Sequence, residues 1–243
     1  MEAKFKVPFK VNSHDTDHNG NLRPSVALRY FHEAANLQFE ASHPTLDELR
    51  YQEHKAFLLS RASLTMLRPL RPFEEICAVT WSGGGRAASF YRCGELLVGE
   101  EVVAKLVSVW ALMDLNAGKL CRVKDIDLGI ASLEEYPLEI PTSFRIPEAA
   151  GLVAVGERVI RNSDIDINMH MNNTNYPDML CDYIPGMENK KVLSFAITYH
   201  KEARLGERLT VYHGFLDGVE YLRTLRSDGL VNAEACFVTE DVL

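Results

Sequence analysis

The stretch from Asp164 to Asn173 reads DIDINMHMNN, and its polar and apolar residues alternate strictly. In an extended strand, residues two apart share a face, so the pattern predicts that Asp166, Asn168 and His170 point the same way. It also predicts that the apolar residues point into the core, namely Ile165, Ile167, Met169 and Met171. A carboxylate, an amide and an imidazole on one face can activate water and stabilise an oxyanion.

A helical pattern follows this stretch, and a helix start adds a further chemical group. The first backbone N–H groups of a helix have no acceptor within the helix, so those near Asn172 and Asn173 could face a polarised oxygen. A second interpretation treats the Asp and Asn residues as ordinary turn and cap residues. Periodicity alone does not separate the two.

The same pattern occurs earlier in the chain. NSHDTDHNGN (12–21) resembles NSDIDINMHM (162–171), with one gap and an offset of about 149 residues. The repeat pairs Asp15, Asp17, Asn19 and Asn21 with Asp164, Asp166, Asn168 and His170. Asn21 therefore occupies the histidine position, and we expect the first half to lack catalysis and to shape a pocket instead.

The first copy also begins like a calcium-binding EF-hand loop. DTDHNG has the opening ligand spacing, but the twelfth position, which should be Glu, is Val26. Pro8 and the alternating residues around it argue against an incoming helix. We therefore expect no metal site.

Each copy is followed by helical and then strand-like patterns. A helix is predicted over 25–40, with Ser25 as its N-cap, and another over 173–183. Two Asp-Gly pairs, Asp217-Gly218 and Asp228-Gly229, predict tight hairpins. Strands are predicted near 61–69, 74–82, 87–94 and 101–115 in the first half, and 192–202, 207–216, 219–226 and 230–239 in the second. The proline-containing segment 131–151 is predicted to be a linker, so the chain is α+β with two similar halves.

Composition narrows the class of protein. The chain has 243 residues and a net charge of −8, without the basic run that a general nucleic-acid binder would carry. No apolar run reaches the ~20 residues of a membrane helix, and the start MEAKFKVPFK differs from a signal or transit peptide. Five scattered cysteines suit reduced thiols, so we expect a cytoplasmic protein with no membrane partner.

Three segments together resemble the acyl-acyl-carrier-protein thioesterases of plants and bacteria. SDIDINMHMNNTNY resembles the family's signature, SVWALMDLNAGKLCRV (108–123) the end of its first domain, and ITYHKEARLGE (197–207) its second catalytic segment. The resemblance implies a tandem hot-dog fold, in which two antiparallel sheets each wrap a long central helix. It divides the chain into an N-terminal hot-dog domain (1–130), the linker, and a catalytic C-terminal hot-dog domain (152–243).

The resemblance implies hydrolysis of the thioester between a fatty acyl chain and the phosphopantetheine arm of acyl carrier protein, with no further cofactor. It implies that Asp166, Asn168, His170 and Glu202 are catalytic. Many family members carry Cys after the glutamate, but this chain has Ala203, so we expect carboxylate chemistry. An ordinary solvated strand end remains a second interpretation of Glu202.

The first half is expected to hold the acyl tail, with pocket residues Leu28, Phe31, Met66, Trp81 and Trp110. Carrier proteins are acidic, so docking on this acidic chain needs a local basic patch. The candidate patches are Arg68 with Arg71, or the group of Lys190, Lys191, Lys201 and Arg204.

Two alternatives stay open: an acyl-CoA thioesterase or hot-dog enoyl hydratase, and a non-catalytic fatty-acyl binding protein. Chain-length preference and oligomeric state are also left open, with a homodimer as one option.

Overall fold

A computed structural model describes residues 3–142 and 144–242. The first half contains one helix, α1 (Pro24–Glu40), and the strands β1 (Phe5–Lys10), β2 (Lys55–Met66), β3 (Glu75–Arg86), β4 (Ser89–Val98), β5 (Glu101–Asp114) and β6 (Lys119–Leu120). The second half contains α2 (Tyr176–Cys181) and the strands β7 (Val153–Val159), β8 (Lys190–Tyr199), β9 (Arg208–Leu216), β10 (Val219–Arg226) and β11 (Val231–Asp241). The predicted α+β class with antiparallel strands is confirmed.

The strands join into a single sheet rather than two. Its order is β1-β3-β4-β5-β2-β8-β11-β10-β9-β7, with β6 paired to β5. The two halves meet where β2 pairs antiparallel with β8, from Arg61 opposite Thr198 to Thr65 opposite Ser194. The predicted pair of separate sheets is therefore wrong at this seam, because the unpaired N–H and C=O groups of each edge strand satisfy those of the other.

The two hairpin signals of the second half are confirmed. Asp217 and Gly218 have φ values of 50° and 80°, which is the positive-φ pair that a two-residue hairpin turn requires. At the next turn, Gly229 has φ 80° and donates its N–H to the carbonyl of Arg226 at 2.9 Å.

Helix α1 agrees with the predicted bounds and packs on the sheet. Most of its apolar residues, including Leu28 and Phe31, are buried, while Arg29, Glu33, Asn36 and Glu40 lie on the exposed side together with Leu37. The predicted cap is wrong, since Ser25 lies inside the helix. Its N–H donates to the Asp178 carboxylate of the second half at 3.0 Å, so the cap comes from another part of the chain.

The second helix is much shorter than predicted. A 3₁₀ turn over Asn173–Asn175 leads into α2, which has only 6 residues. Pro185 and Gly186 follow closely, and the residue before a proline is disfavoured in helical conformation, so the helix cannot continue. The expected long central helix is therefore present in the first half only.

One hydrophobic core crosses both halves, including Phe31 from α1 and Phe195 and Phe237 from the second half. Residues 132–140 of the predicted linker pack against the outer face of β3. There, Trp81 Nε1 donates to the carbonyl of Glu135 at 2.8 Å, and Leu133, Leu138 and Ile140 cover Trp81. No helix within the described residues is long and apolar enough to cross a membrane.

Candidate active site

The stretch before α2 forms a tight turn, so the predicted extended strand is wrong. The N–H of Asp166 donates to the carbonyl of His170 at 3.1 Å, and the N–H of Met169 donates back to the carbonyl of Asp166 at 2.9 Å. Met169 has φ 64°, in the left-handed region. As a result Ile167 and Met169, predicted to be core residues, are 81% and 62% exposed. We call residues 165–171 the second loop.

Asp166 holds this turn through its own carboxylate. Its Oδ1 accepts the N–H of Asn168 at 2.8 Å, the local bond that Asp commonly makes in turns. Oδ2 makes no hydrogen bond within the described part of the chain, and the residue is half-buried. One oxygen is thus structural, and the other remains available to accept a proton or to attack a carbon.

His170 faces Glu202 across an antiparallel bridge. His170 pairs with Arg204, and the N–H of Met171 donates to the carbonyl of Ala203 at 2.8 Å. This pairing places His170 Nε2 3.8 Å from Glu202 Oε2. The other oxygen, Oε1, accepts from Arg204 Nε at 2.8 Å. Glu202 lies in the loop after β8 rather than in the strand, and Arg204 orients it toward the imidazole.

The first half contributes Arg50 to this site, a residue that the sequence analysis missed. Arg50 lies in the helical turn Glu48–Gln52, and its Nη1 donates to Asn168 Oδ1 at 2.6 Å. Because a guanidinium only donates, this contact identifies the Asn168 oxygen and leaves its NH₂ group free to donate elsewhere. No signal in the sequence links Arg50 to Asn168, since 118 positions separate them.

The two asparagines at the start of the helical segment differ in what they can do. Asn172 Oδ1 accepts the N–H and the hydroxyl of Thr174 at 2.9 and 2.8 Å, so this side chain is a cap. Its N–H donates to the carbonyl of Asp164 at 2.9 Å, so the predicted oxyanion contact at Asn172 is wrong. Asn173 is the first residue of the 3₁₀ turn, where a backbone N–H has no acceptor within the turn.

The predicted pocket residues do not all lie together. Leu28 and Phe31 lie on the buried face of α1. Trp110 contacts the ring of His32, also in α1, at a centroid distance of 5.2 Å. Trp81 lies on the opposite face of the sheet, under Leu133, Leu138 and Ile140, so its assignment to the same pocket is wrong. Met66 lines a separate cavity of about 160 Å³ beside the first copy of the repeat.

The cysteines lie away from this loop. Cys181 is buried in α2, and burial raises the pKa of its thiol. Burial also raises the pKa of Cys93 to about 12. Ala203, at the position of the expected thiol, is fully buried. In the first copy, Asp17 Oδ1 accepts the N–H groups of Asn19 and Asn21, and within the described residues no acidic, His or Cys cluster is arranged for a metal.

Comparison with known families decides the classification. Residues 2–128 match the sequence model of the acyl-ACP thioesterase N-terminal domain, and residues 154–236 match that of the C-terminal domain. The chain belongs to the acyl-ACP thioesterase family. Membership assigns hydrolysis of fatty acyl-ACP thioesters to this chain.

Solved structures of acyl-ACP thioesterases share the fold. The acyl-ACP thioesterase of Bacteroides thetaiotaomicron superposes with a TM-score of 0.87 at 19% identity, covering 98% of both chains. The 12:0-ACP thioesterase of Umbellularia californica superposes with a TM-score of 0.82 at 15% identity, covering 99% of this chain and 95% of the other. No curated protein sequence matches the chain significantly.

Proposed function

We propose that this acyl-ACP thioesterase hydrolyses its substrate at the second loop, with Asp166, His170 and Glu202 as the groups that handle protons. The observation that carries the proposal is the approach of His170 Nε2 to Glu202 Oε2, at 3.8 Å, beside a turn whose aspartate keeps one oxygen unbonded among the described residues. A distance of 3.8 Å is an ion-pair distance, and hydrogen bonds of catalytic groups often shorten when substrate binds.

The reaction needs one water and no redox or metal chemistry. Asp166 Oδ2 takes a proton from water as the water oxygen adds to the thioester carbonyl carbon. The Asn168 NH₂ group and the N–H of Asn173 donate to the oxygen that becomes negative. The carbon–sulfur bond then breaks, His170 gives its proton to the leaving sulfur, and Glu202 stabilises the protonated imidazole before that transfer. The products are a fatty acid and the thiol of the phosphopantetheine arm. Asp166 then gives its proton to solvent and His170 takes one up, which restores both groups.

A second route uses the same residues, with Asp166 attacking the carbonyl carbon to form an acyl-aspartyl anhydride that water then cleaves. A single turnover in H₂¹⁸O distinguishes the routes. Direct attack by water places ¹⁸O in the fatty acid only. Water cleavage at the aspartyl carbon of the anhydride places ¹⁸O in the Asp166 peptide, which mass spectrometry of the digested protein detects.

We place the acyl tail in the first half. At the buried face of α1, the ring of Phe57 contacts the rings of Phe39, Phe90 and Trp110 at centroid distances of 5.6 to 6.4 Å. Such an apolar layer suits a hydrocarbon chain, which binds by burying CH₂ groups at ~0.8 kcal/mol each. We also place the reaction in the cytoplasm, because the five cysteines are unpaired, as thiols are in reducing compartments.

Steady-state assays with matched substrates test the proposed function. The purified chain is given acyl-ACP and acyl-CoA carrying the same acyl group, over a range of chain lengths, and release of free fatty acid is measured. We expect a larger kcat/KM for acyl-ACP. A larger value for acyl-CoA would identify a CoA thioesterase, and binding without turnover would identify a carrier of fatty acyl groups.

A further inference from the structure

The tip of the second loop exposes large apolar side chains beside the site. Ile167 and Met169 are 81% and 62% exposed, and Leu205 is 50% exposed. His170 and Arg204 form an antiparallel bridge, which brings the second loop beside the turn that carries Leu205. The three side chains therefore belong to one apolar surface at the mouth of the catalytic site, which we call the loop-tip surface.

Met169 occupies a conformation that disfavours it. Its φ of 64° lies in the left-handed region, which costs a residue with a Cβ roughly 1–2 kcal/mol. The corresponding position of the first copy is Gly20, with φ 72° and no such cost. An exposed apolar side chain at a strained position contributes little to the core, so another use of the side chain explains its presence.

Cations surround this surface. Arg50 contacts Asn168, the Arg204 side chain is 74% exposed, and Lys201 is exposed with no ion pair within the described part of the chain. Two carboxylates lie nearby: Asp166 bonds Asn168, and Glu202, whose side chain is 40% exposed, pairs with Arg204 and approaches His170. Arg50 and Lys201 make no ion pair within the described residues, so they supply local positive charge at the rim although the whole chain carries −8.

Three of the other candidate cations are neutralised by carboxylates. Arg68 binds Glu74 and Glu101, Lys190 binds Glu220, and Lys191 binds Glu240. Arg71 donates to the carbonyl of Asn19 at 2.7 Å. Arg204 pairs with Glu202, so among the six candidates only Arg71 and Lys201 make no ion pair within the described residues. Arg71 lies beside the first copy, and Lys201 is the one that lies next to Glu202.

We propose that the loop-tip surface of Ile167, Met169 and Leu205, rimmed by Arg50, Lys201 and Arg204, is where acyl carrier protein docks. This inference rests on the proposed function, because a thioester on a flexible arm reaches Asp166 and His170 only if the carrier sits at this mouth. An acidic carrier with an apolar contact fits a cationic rim around an apolar centre.

The first copy supplies the test variant. Ile167→His with Met169→Gly gives the second loop the residue types of His18 and Gly20, which the same backbone already accepts in the first copy. We expect kcat/KM for acyl-ACP to fall by about tenfold, the scale of losing apolar contacts at the centre of an interface. The rate with the acyl thioester of N-acetylcysteamine should stay within about twofold, since that substrate has no carrier to dock.

Charge variants provide a second, independent measurement. Lys201→Glu should lower kcat/KM for acyl-ACP at low salt, and the difference should shrink as salt screens the rim. Lys191→Glu is the matched control, because Lys191 lies beside the first copy and already pairs with Glu240. It should leave the acyl-ACP rate unchanged.

The outcomes separate the two proposals. Equal losses on both substrates, or no loss on acyl-ACP, would overturn docking at the loop tip while hydrolysis stands. Absence of hydrolysis with either substrate in the native protein would overturn both proposals.

Sedimentation and phosphatidylglycerol-vesicle binding are measured on the same variants. A dimer or a vesicle complex that the Ile167→His, Met169→Gly variant alone disrupts would assign the surface to a second copy or to lipid, against our proposal.

Discussion

The chain builds nearly the same turn twice, once before each helix. In the first copy, the N–H of Asp17 donates to the carbonyl of Asn21 at 2.8 Å, and Asp17 Oδ1 accepts the N–H of Asn19 at 2.9 Å. In the second, Asp166 makes the matching bonds to His170 and Asn168 at 3.1 and 2.8 Å. The turn itself therefore uses an aspartate, whether or not chemistry happens there.

The neighbouring segments also match. In the first copy, the N–H of Leu22 donates to the carbonyl of Leu70, and in the second the N–H of Met171 donates to the carbonyl of Ala203. Likewise, the N–H of Val11 donates to the carbonyl of Glu74, and the N–H of Ile160 donates to the carbonyl of Glu207. This correspondence puts Pro69 where the second half has Glu202. The two copies thus share a backbone frame and differ where protons would move: Asn21 and Pro69 in one, His170 and Glu202 in the other. The frame is structural, and two side chains make one copy chemically competent.

Replacing the aspartate in each copy with asparagine is the strongest test of this comparison. Asn keeps the oxygen that accepts the turn N–H but loses the charge that takes a proton. Asp166→Asn should lower kcat by at least ~10²-fold, the usual loss for an acid–base group, and Asp17→Asn should cost less than about twofold. Melting temperatures show whether both variants fold. Comparable rate losses at the two positions would contradict a single active site per chain.

Glu202→Gln should have a smaller effect. Glutamine still accepts from Arg204 but no longer stabilises a protonated His170, so we expect kcat to fall by about tenfold, which corresponds to roughly 1.4 kcal/mol. The matched change in the first copy is Pro69→Ala, for which activity should be unchanged. If Glu202→Gln also left kcat unchanged, the carboxylate would be an ordinary surface group.

The division of labour between the halves predicts a change in selectivity. Phe31 lies on the buried face of α1, and a Cβ on Gly94 would lie 2.5 Å from its ring, so the space around it is filled. Phe31→Ala should shift preference toward longer acyl chains, because blocking two carbons costs about tenfold in affinity. It should also lower stability by ~3–5 kcal/mol.

Free-fatty-acid profiles and melting temperatures are measured together on Phe31→Ala and on Phe195→Ala, a buried core residue of the second half. Both variants should melt earlier, and only the first should change the chain-length profile. Matching profiles in the two variants would reduce Phe31 to a core residue without influence on selectivity.

A buried histidine in the first helix, His32, should make the stability of the folded protein sensitive to acid, and the second helix has no counterpart. His32 of α1 has a buried Nε2 against Trp110 with no hydrogen-bond partner within the described residues, and burial lowers its pKa to about 4. The unfolded chain then binds a proton more readily than the folded one between pH 6.5 and 4. Above pH 6.5 His32 is neutral in both states and does not reduce the free energy of unfolding. As the pH falls from 6.5 to 4, the unfolded state takes up the proton first, so the free energy of unfolding decreases.

From pH 7 to pH 5, this loss amounts to about 1–2 kcal/mol. His32→Leu removes the titrating group, so denaturant unfolding at both pH values should show a smaller loss for the variant than for the native protein. At position 181, 149 residues on, the second helix carries Cys181, whose thiol does not take up a proton in this range. Equal losses in the native protein and the variant would contradict the assignment to His32.

The parts of the fold that were predicted from sequence depend on neighbours in the chain. The helix over 25–40 and the Asp-Gly hairpins come from local periodicity and backbone preference, and the structure confirms them. The alternation of polar and apolar residues at 164–173 is also a local pattern, but a strand and a turn can both carry it, so the predicted strand was wrong. The periodicity does not show that the Asp166 carboxylate accepts the N–H of Asn168 and closes the turn.

Sequence alone determined the chemistry available to this protein: which residues repeat, that His170 of the second copy is Asn21 in the first, and that Ala203 stands where a thiol was expected. Only the tertiary structure decided that β2 pairs with β8, that Asp178 caps the helix of the other half, and that Arg50 reaches Asn168. These contacts join residues more than a hundred positions apart. They form because edge strands, helix ends and free amides must find partners on folding, and local sequence does not specify which partner lies within reach.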